Sequence, residues 1–404
     1  MPETERSTPA DAAAENREQL TQPSRLGIHI ALFATGFGAF LSLYATQPLL
    51  PEFRQIYQAS ELLVSLTVSA PVLAVAMMAP LAGLVADSLG RKRVIVAALL
   101  GLAIPTVLVA TASNLQQIIF WRFLQGLFVP AIIAVTIAYI SEEAPHATIG
   151  KTMATYVTGT VIGGFVGRFT TGLVAHDWGW RPAFVILGIL SLSIVALVWW
   201  LLPRARHFVR QKNAAVAFQS MCRHLRNPQL LATYAVGFNV LFSLVGAFTY
   251  VNFYLADEPF SLGTAALASI FAVYLIGAVI TPIAGRVLDR IGFRRTLMLA
   301  VAMSAGGLLL TLIPYLPAVI AGLALEASGV FACQSASSGH VGEAAHEARS
   351  TAAVLYVTFY YLGGVAGSSL PGFFWAQAGW PGCVALMLGM QLVSIFIAYK
   401  LWSD

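Results

Sequence analysis

The sequence predicts an all-α integral membrane protein in which twelve transmembrane helices form two pseudo-symmetric six-helix bundles. Three observations lead to this prediction: an apolar composition, apolar stretches of membrane-spanning length, and an internal repeat. Of the 404 residues, 58% are hydrophobic and 10% are charged, whereas about 25% of the residues in an ordinary soluble domain are charged. So few charges could not cover a soluble surface of this size. The composition therefore excludes a soluble enzyme, a disordered chain and a fibrous protein.

Apolar stretches that could each cross a bilayer recur along almost the whole chain. A helix needs about 20 residues to cross a hydrocarbon core of ~30 Å, and uninterrupted stretches of that length must be helical because lipid cannot satisfy an open backbone. The ten-residue alternating segments of a β-barrel do not occur in the sequence. The twelve stretches are residues 26–49, 63–84, 94–112, 116–140, 151–174, 182–202, 229–254, 264–285, 296–314, 317–340, 350–374 and 381–402.

The distribution of Lys and Arg predicts the orientation of these spans. If the N-terminal tail lies inside, nineteen of the 23 basic residues fall in inner segments, and two, Arg54 and Arg181, fall in outer segments. Basic residues favour the cytoplasmic side of a membrane. We therefore expect a multi-pass protein of the bacterial inner membrane with both termini in the cytoplasm, which requires an even number of spans.

The chain divides into four predicted parts. A polar tail, 1–25, lacks the features of a secretory signal and precedes an N-terminal bundle, 26–202. A basic cytoplasmic loop, 203–228, connects it to a C-terminal bundle, 229–404. The bundles are related by repeated residues: Gly83, Asp87 and Gly90 recur after 202 positions as Gly285, Asp289 and Gly292, and Tyr156 and Gly163 recur after 200 positions as Tyr356 and Gly363. Many secondary transporters are built from such repeats.

Two motifs make the chain resemble the major facilitator superfamily of transporters. A G-x-x-x-D-x-x-G-R-K motif runs from Gly83 to Lys92 between spans two and three, with a weaker copy between spans eight and nine. An R-x-x-x-G motif runs from Arg122 to Gly126 in span four. The resemblance is nearest to bacterial inner-membrane exporters of drugs and sugars. Arg168, however, stands where drug–proton antiporters often have a proline in span five, and this departure weakens a drug-efflux assignment.

The resemblance implies a conformational latch at the cytoplasmic side. Asp87 could accept hydrogen bonds at the positive end of a neighbouring helix, and basic residues beside it could meet carboxylates. The alternative is that these basic residues only set the topology. The candidate latch residues are Gly83, Asp87, Gly90, Arg91 and Lys92, and in the second copy Gly285, Asp289, Gly292, Arg294 and Arg295.

Two charged residues inside spans are candidates for proton coupling or gating. Arg122 in span four and Glu326 in span ten lie at similar depths, and a charge in hydrocarbon must face protein or a water-filled cavity. The resemblance implies that spans one, four, seven and ten line a central cavity. Arg122 and Glu326 could therefore meet across the two bundles, so that protonation of Glu326 would break the pair. Alternatively, each residue is satisfied within its own bundle, or Arg122 binds an anionic substrate.

Arg168 and a set of polar and aromatic residues are candidates for the substrate cavity. Arg168 could extend to the membrane interface or act with Arg122 as a second cation beside an anionic ligand. Aromatic residues with a few polar groups suit a moderately apolar organic compound, although each could instead belong to an interfacial belt or to helix packing. The other candidates are Tyr44, Gln47, Gln125, Asn239, Tyr250, Gln334, Tyr356, Tyr360 and Tyr361.

The sequence gives no indication of enzyme chemistry. Cys222, Cys333 and Cys383 lie far apart, and His146 and His346 lack further ligands at metal-binding spacing. No nucleotide-binding or nucleophile motif occurs, so we expect no metal or cofactor, and nothing supports nucleic-acid binding.

We therefore predict a monomeric secondary transporter that exports a small organic solute, with protons as the coupling ion. The alternatives are uptake or facilitated exchange of an organic anion or sugar, and a membrane receptor or sensor without transport activity.

Overall fold

Twelve helical segments run back and forth in the order that the sequence predicts. The computed structural model describes residues 25–86, 90–145, 148–205, 214–345 and 347–402. Spans one to six are Arg25–Leu41, Glu61–Ala86, Arg91–Val109, Leu115–Glu143, Ile149–Trp178 and Trp180–Leu201. Spans seven to twelve are Pro228–Ala256, Thr264–Ile291, Phe293–Leu310, Leu316–Ala344, Arg349–Ser369 and Pro371–Leu401. A short helix, Ala214–His224, lies in the connecting loop.

Nine of these spans, counted over the described residues, are long and apolar enough to cross a membrane by length and composition. Span one has a helix of 17 residues. Spans five and eleven are longer but contain many glycine, threonine and serine residues. The small residues that lower their hydropathy also let these helices approach their neighbours closely.

Two spans are interrupted where the sequence predicts continuous helices. The helix of span one ends at Leu41 and is followed by a turn and a 3₁₀ segment, Gln47–Leu49. Span eight changes to a 3₁₀-helix over Phe271–Ile276 before it continues. The break in span one frees backbone carbonyls that a continuous helix would use, and an arginine of span four uses two of them.

The backbone repeats between the two bundles at the turns as well as in the helices. Gly90 and Gly292 precede spans three and nine, and both have a φ of 82°. Gly179 and Gly379, which are 200 positions apart, also have positive φ. Glycine adopts this conformation without the steric cost that a Cβ imposes. The paired glycines therefore fix the same turns in both bundles.

Glycines also hold spans one and five together, and spans seven and eleven in the second bundle. A Cβ atom on Gly163 would overlap the carbonyl oxygen of Phe37, and one on Gly363 would overlap the carbonyl oxygen of Phe238. Because the obstacle in each case is backbone, a side-chain rotation cannot relieve it. These contacts therefore require glycine.

We expect Gly163→Ala and Gly363→Ala each to destabilise the purified protein by about 1–3 kcal/mol, the usual cost of overpacking. Thermal unfolding in detergent measures this loss as a lower melting temperature. Gly389→Ala is the matched control, because a Cβ there has nothing within 4 Å. An unchanged melting temperature for both packed positions would show that the helices can separate without cost.

The recorded contacts between the two bundles are concentrated at one end of the molecule. Span two packs against span eleven, and span five packs against span eight. We call this the Arg54 end, after a residue of the short helix Leu50–Tyr57 that follows span one. The opposite end, which carries the helix Ala214–His224, is the linker end.

Candidate functional site

A buried arginine of span five lies between the two bundles. Arg168 is 3% exposed. Its Nε donates to Oε1 of Gln47 at 2.7 Å, and its Nη1 donates to the carbonyl oxygen of Gly164 at 2.7 Å. The Nε2 of Gln47 in turn donates to Oγ1 of Thr249 in span seven, at 3.1 Å. The arginine is thus connected through one glutamine to the second bundle.

Aromatic rings from both bundles surround this guanidinium. Its Cζ lies 4.8 Å from the ring centroid of Tyr44, 5.0 Å from that of Phe271 and 4.7 Å from that of Tyr274. Tyr44 belongs to the first bundle, whereas the other two rings lie in the 3₁₀ segment of span eight. A cation over an aromatic face is attracted by the ring quadrupole, most strongly when it is desolvated. Arg168 therefore contributes to the contact between the bundles.

Arg122 is fully buried and is bonded within the first bundle. Its Nε donates to the carbonyl oxygen of Thr67 at 3.0 Å, and its Nη1 donates to Oε1 of Gln125 at 2.7 Å. Its remaining recorded bonds go to the carbonyl oxygens of Ser42 and Leu43, which lie where the helix of span one has ended. Gln125 donates onward to Thr106. All these partners are neutral oxygens, so the positive charge has no recorded carboxylate partner among the described residues.

Glu326 is fully buried in span ten, and neither of its carboxyl oxygens has a hydrogen-bond partner among the described residues. It does not pair with Arg122 in this structure. The ring of Tyr274 packs against Phe331 of span ten, with centroids 6.2 Å apart, and lies 4.7 Å from Cζ of Arg168, so this ring connects the helix that carries Glu326 to the arginine. A buried carboxyl without a partner is costly, and such residues in membrane proteins are associated with ion and proton pathways.

The other predicted cavity residues fall into three groups. Tyr360 and Tyr361 pack with ring centroids 5.6 Å apart, and both interact electrostatically with Tyr44. Tyr356 lies deeper in the second bundle, with its hydroxyl 2.7 Å from Oγ of Ser337. Gln334 is partly exposed on span ten.

Asn239 and Tyr250 are placed differently from what the sequence indicates. Asn239 faces the interior of the second bundle, where Nδ2 donates to Oγ of Ser394 in span twelve at 2.8 Å. It lines a small internal cavity there with Ser243 and Gln391. Tyr250 donates to the carbonyl oxygen of Ser368 in its own bundle at 3.1 Å, and its hydroxyl also lies 3.4 Å from Oγ of Ser65 in span two of the first bundle. In this structure the first residue faces away from the other bundle, and the second forms part of the closed end.

An ion-pair cluster closes the Arg54 end, and sequence reasoning missed it. Arg54 bonds Asp257 of the second bundle through Nη2 and Oδ1 at 2.6 Å, and Glu61 through Nη1 and Oε1 at 3.0 Å. The hydrogen bond to Asp257 raises the pKa of Arg54 further above its ordinary value. The signal available in the sequence was the position of Asp257 directly after span seven, 203 residues beyond Arg54.

The first predicted latch forms a contact within one bundle. Arg91 is buried and bonds Glu142 at the end of span four, with Nη2 at 2.6 Å from Oε1 and Nε at 3.1 Å from Oε2. Lys92 lies 5.4 Å from the ring centroid of Trp199. Asp87 and the side-chain surroundings of Gly83 lie outside the described residues. The ion pair fastens span three to span four at the linker end.

Among the described residues, the second copy of the predicted latch is more exposed to solvent than the first copy. Asp289 and Arg295 are exposed, and Arg294 packs over the ring of Tyr399 with its Cζ 4.7 Å from the centroid. Gly292 forms the turn before span nine, and Gly285 lies on the last turns of span eight. No cluster of three or more potential metal ligands occurs within the part of the chain that the structure describes.

Two repeated helical bundles with buried charges between them define a multi-pass membrane transporter. Comparison with known proteins gives the family. Residues 32–279 and 260–404 match the family model of the Major Facilitator Superfamily, and the chain belongs to this family. It is therefore a transporter and not an enzyme.

Relatives and a solved structure match this chain over two thirds or more of its length. The chain is 30% identical to the inner membrane transport protein YnfM of Escherichia coli K12, over 97% of this chain and 96% of that protein. It is 28% identical to the multidrug resistance protein MdtG of Yersinia enterocolitica, over 68% of each chain. The structure of the nucleoside transporter NupG has the same fold, with a TM-score of 0.76 over 93% of this chain and 99% of that one, at 14% identity.

Proposed function

We propose that the protein is a monomeric, proton-coupled secondary transporter that exports a small organic solute across the bacterial inner membrane. The solute binds between the two bundles beside Arg168, and Glu326 carries the proton. The two bundles rock about this site and open it alternately to each side of the membrane, as is general for transporters with repeated bundles.

The carboxyl of Glu326, which is buried and has no hydrogen-bond partner among the residues that the structure describes, is the observation that carries this proposal. A carboxyl that has no hydrogen-bond partner in one conformation of the protein is stabilised by a change to a conformation that gives it water or a counter-ion. Proton binding and release can therefore be linked to the exchange between the two states. Tyr274 packs over Arg168 and also against Phe331 of span ten, the helix that carries Glu326, and this packing supports a connection from the proton site to the solute site.

The closed Arg54 end gives the orientation of the proposed cycle. Nineteen of the 23 basic residues fall in the segments that the sequence predicts to be inner, so the positive-inside rule supports a cytoplasmic location for the linker end and for both termini. The structure then corresponds to a state closed toward the periplasm. Residues 26–202 and 229–404 move as two bodies joined by the 203–228 loop, and the two copies of the latch act at the cytoplasmic side.

The direction of transport rests on a relative. The similarity to a multidrug resistance protein supports export. The unpaired charge of Arg168 favours a second candidate, the uptake or exchange of an organic anion. Both candidates use the same site and differ in the direction of the solute relative to the proton.

Transport by proteoliposomes tests the proposal, with three representative solutes: ethidium, glucose and benzenesulfonate. We expect one of them to be accumulated when a pH gradient is imposed, and not when the gradient is collapsed. Liposomes without protein are the control. Transport that is equal with and without the gradient would contradict proton coupling, and an absence of transport for all three solutes would favour a receptor.

A further inference from the structure

We propose that the site between the bundles binds a monovalent aromatic anion, with a carboxylate or sulfonate on Arg168 and its ring among the surrounding tyrosines. This inference rests on the proposed function, because it names the class of solute that the same site takes. It does not depend on the coupling ion or on the direction of transport.

The balance of buried charge is the first argument. Among Lys, Arg, Asp and Glu of the described residues, four side chains are buried: Arg91, Arg122, Arg168 and Glu326. Arg91 pairs with Glu142, and the structure records no salt bridge for the other three. Among the described residues, the buried charged side chains without a salt bridge are therefore two arginines and a single carboxyl. An uncompensated cation at this depth is costly, and one negative charge on a ligand would offset it.

The hydrogen bonding of the two arginines decides which of them receives the anion. Arg122 directs Nε, Nη1 and Nη2 to oxygens of its own bundle. Arg168 uses Nε and Nη1, whereas its Nη2 has no recorded acceptor among the described residues. The rings of Tyr44 and Tyr274 lie over the guanidinium. An anion must therefore approach at the edge, which is the side that a carboxylate or sulfonate uses for paired hydrogen bonds.

The walls of the site favour an aromatic ring on that anion. The rings of Tyr44, Phe271 and Tyr274 all lie against the guanidinium of Arg168, and Phe271 and Tyr274 have their centroids 6.0 Å apart. A flat ring can join such a cluster by offset or edge-to-face contacts, which stabilise aromatic pairs beyond their buried area. An organic cation would meet the positive charge of Arg168 directly, and a sugar would find few polar partners on these rings.

A binding measurement on the purified protein in detergent tests this inference without a membrane gradient. Radiolabelled benzoate is the probe. The competitors are benzenesulfonate, cyclohexanecarboxylate, benzamide and benzylamine, which separate the contributions of charge and ring. We expect benzoate to bind, benzenesulfonate to compete fully, cyclohexanecarboxylate to compete more weakly, and the neutral and cationic compounds not to compete.

Variants at Arg168 link binding to the proposed site. Arg168→Gln should weaken benzoate binding by about thirtyfold or more, the usual effect of removing one partner of a buried charge pair, and Arg168→Lys should retain part of the affinity. Tyr274→Leu, which removes the aromatic ring from the wall of the site, should bind benzoate less well than the wild type does. Arg181→Gln is the control, since Arg181 bonds the carbonyl oxygen of Ala112 outside the site. Melting temperatures identify any variant that fails to fold.

The outcomes separate this inference from the proposed function. Benzoate binding that depends on Arg168 supports the inference even if the protein shows no response to a pH gradient. The inference is overturned if the wild-type protein transports ethidium or glucose but does not bind benzoate. It is also overturned if Arg168→Gln and Arg168→Lys fold and bind benzoate as tightly as the wild type, since Arg168 would then only join the bundles.

Discussion

Glu326→Gln is expected to abolish solute accumulation driven by a pH gradient while solute exchange without a gradient continues. Glutamine keeps the size and polarity of the side chain but cannot release a proton. The carboxyl is fully buried and its oxygens have no hydrogen-bond partner among the described residues, so the substitution removes no bond that the fold uses. The variant should therefore be as stable as the wild type, or more stable, because the amide is cheaper to bury than an ionised group.

Proteoliposomes loaded with unlabelled solute measure the two activities separately. Exchange of internal for external labelled solute should remain close to the wild-type rate. Accumulation under an imposed gradient should fall to the level of liposomes without protein. Glu343→Gln is the matched control, since Glu343 lies on the same helix but is exposed at the linker end. Gradient-driven accumulation that persists in Glu326→Gln would assign the proton to another group.

Arg54→Asp is expected to open the Arg54 end of the molecule. The substitution removes the cation that joins the bundles and places a third carboxylate beside Glu61 and Asp257. Asp257 is 46% exposed, so water screens the pair, and the direct loss is smaller than for a buried pair. The equilibrium between two states of a transporter nevertheless responds to a change of about 1–3 kcal/mol, a typical coupling energy.

Thiol accessibility measures this opening. Thr249→Cys, in a background where Cys222 is replaced by serine, puts a reactive thiol at a buried position of the closed end. Labelling by a membrane-impermeant maleimide from outside the cell should become about five- to thirtyfold faster in Arg54→Asp, a factor that corresponds to about 1–2 kcal/mol. Adding Asp257→Arg to this variant restores an opposite pair and should slow labelling again. Equal labelling rates in the otherwise wild-type protein, in Arg54→Asp and in the double variant Arg54→Asp with Asp257→Arg would show that the cluster does not hold the bundles together.

The fold could be predicted from the sequence because its causes are visible in single residues. Apolar stretches of membrane length require helices, and the repeated glycines, such as Gly90 and Gly292, mark equivalent turns in both bundles. The interruptions were not predictable in the same way. The segment Phe271–Ile276 is as apolar as its neighbours, and only its packing between bundles distinguishes it.

The buried charged residues could be picked out from the sequence, whereas their hydrogen-bond partners could not. Arg122, Arg168 and Glu326 stand out because charges are rare inside spans. Two of the partners of Arg122 are the backbone carbonyls of Ser42 and Leu43, which lie where span one stops being helical. The amide of Asn239 finds Ser394 on span twelve, a residue that no motif marks. From the sequence alone, Arg54 is only one of two basic residues in outer segments, since no local pattern connects it to Asp257.

The pH inside proteoliposomes during solute entry tests the central claim most directly. The vesicles contain a trapped pH-sensitive dye, and the solute among ethidium, glucose and benzenesulfonate that is transported is added outside without any imposed gradient. Antiport predicts that each solute molecule entering drives protons out, so the lumen becomes alkaline in the wild type and stays unchanged in Glu326→Gln. Solute entry with no change of internal pH, or with acidification, would contradict proton-coupled antiport.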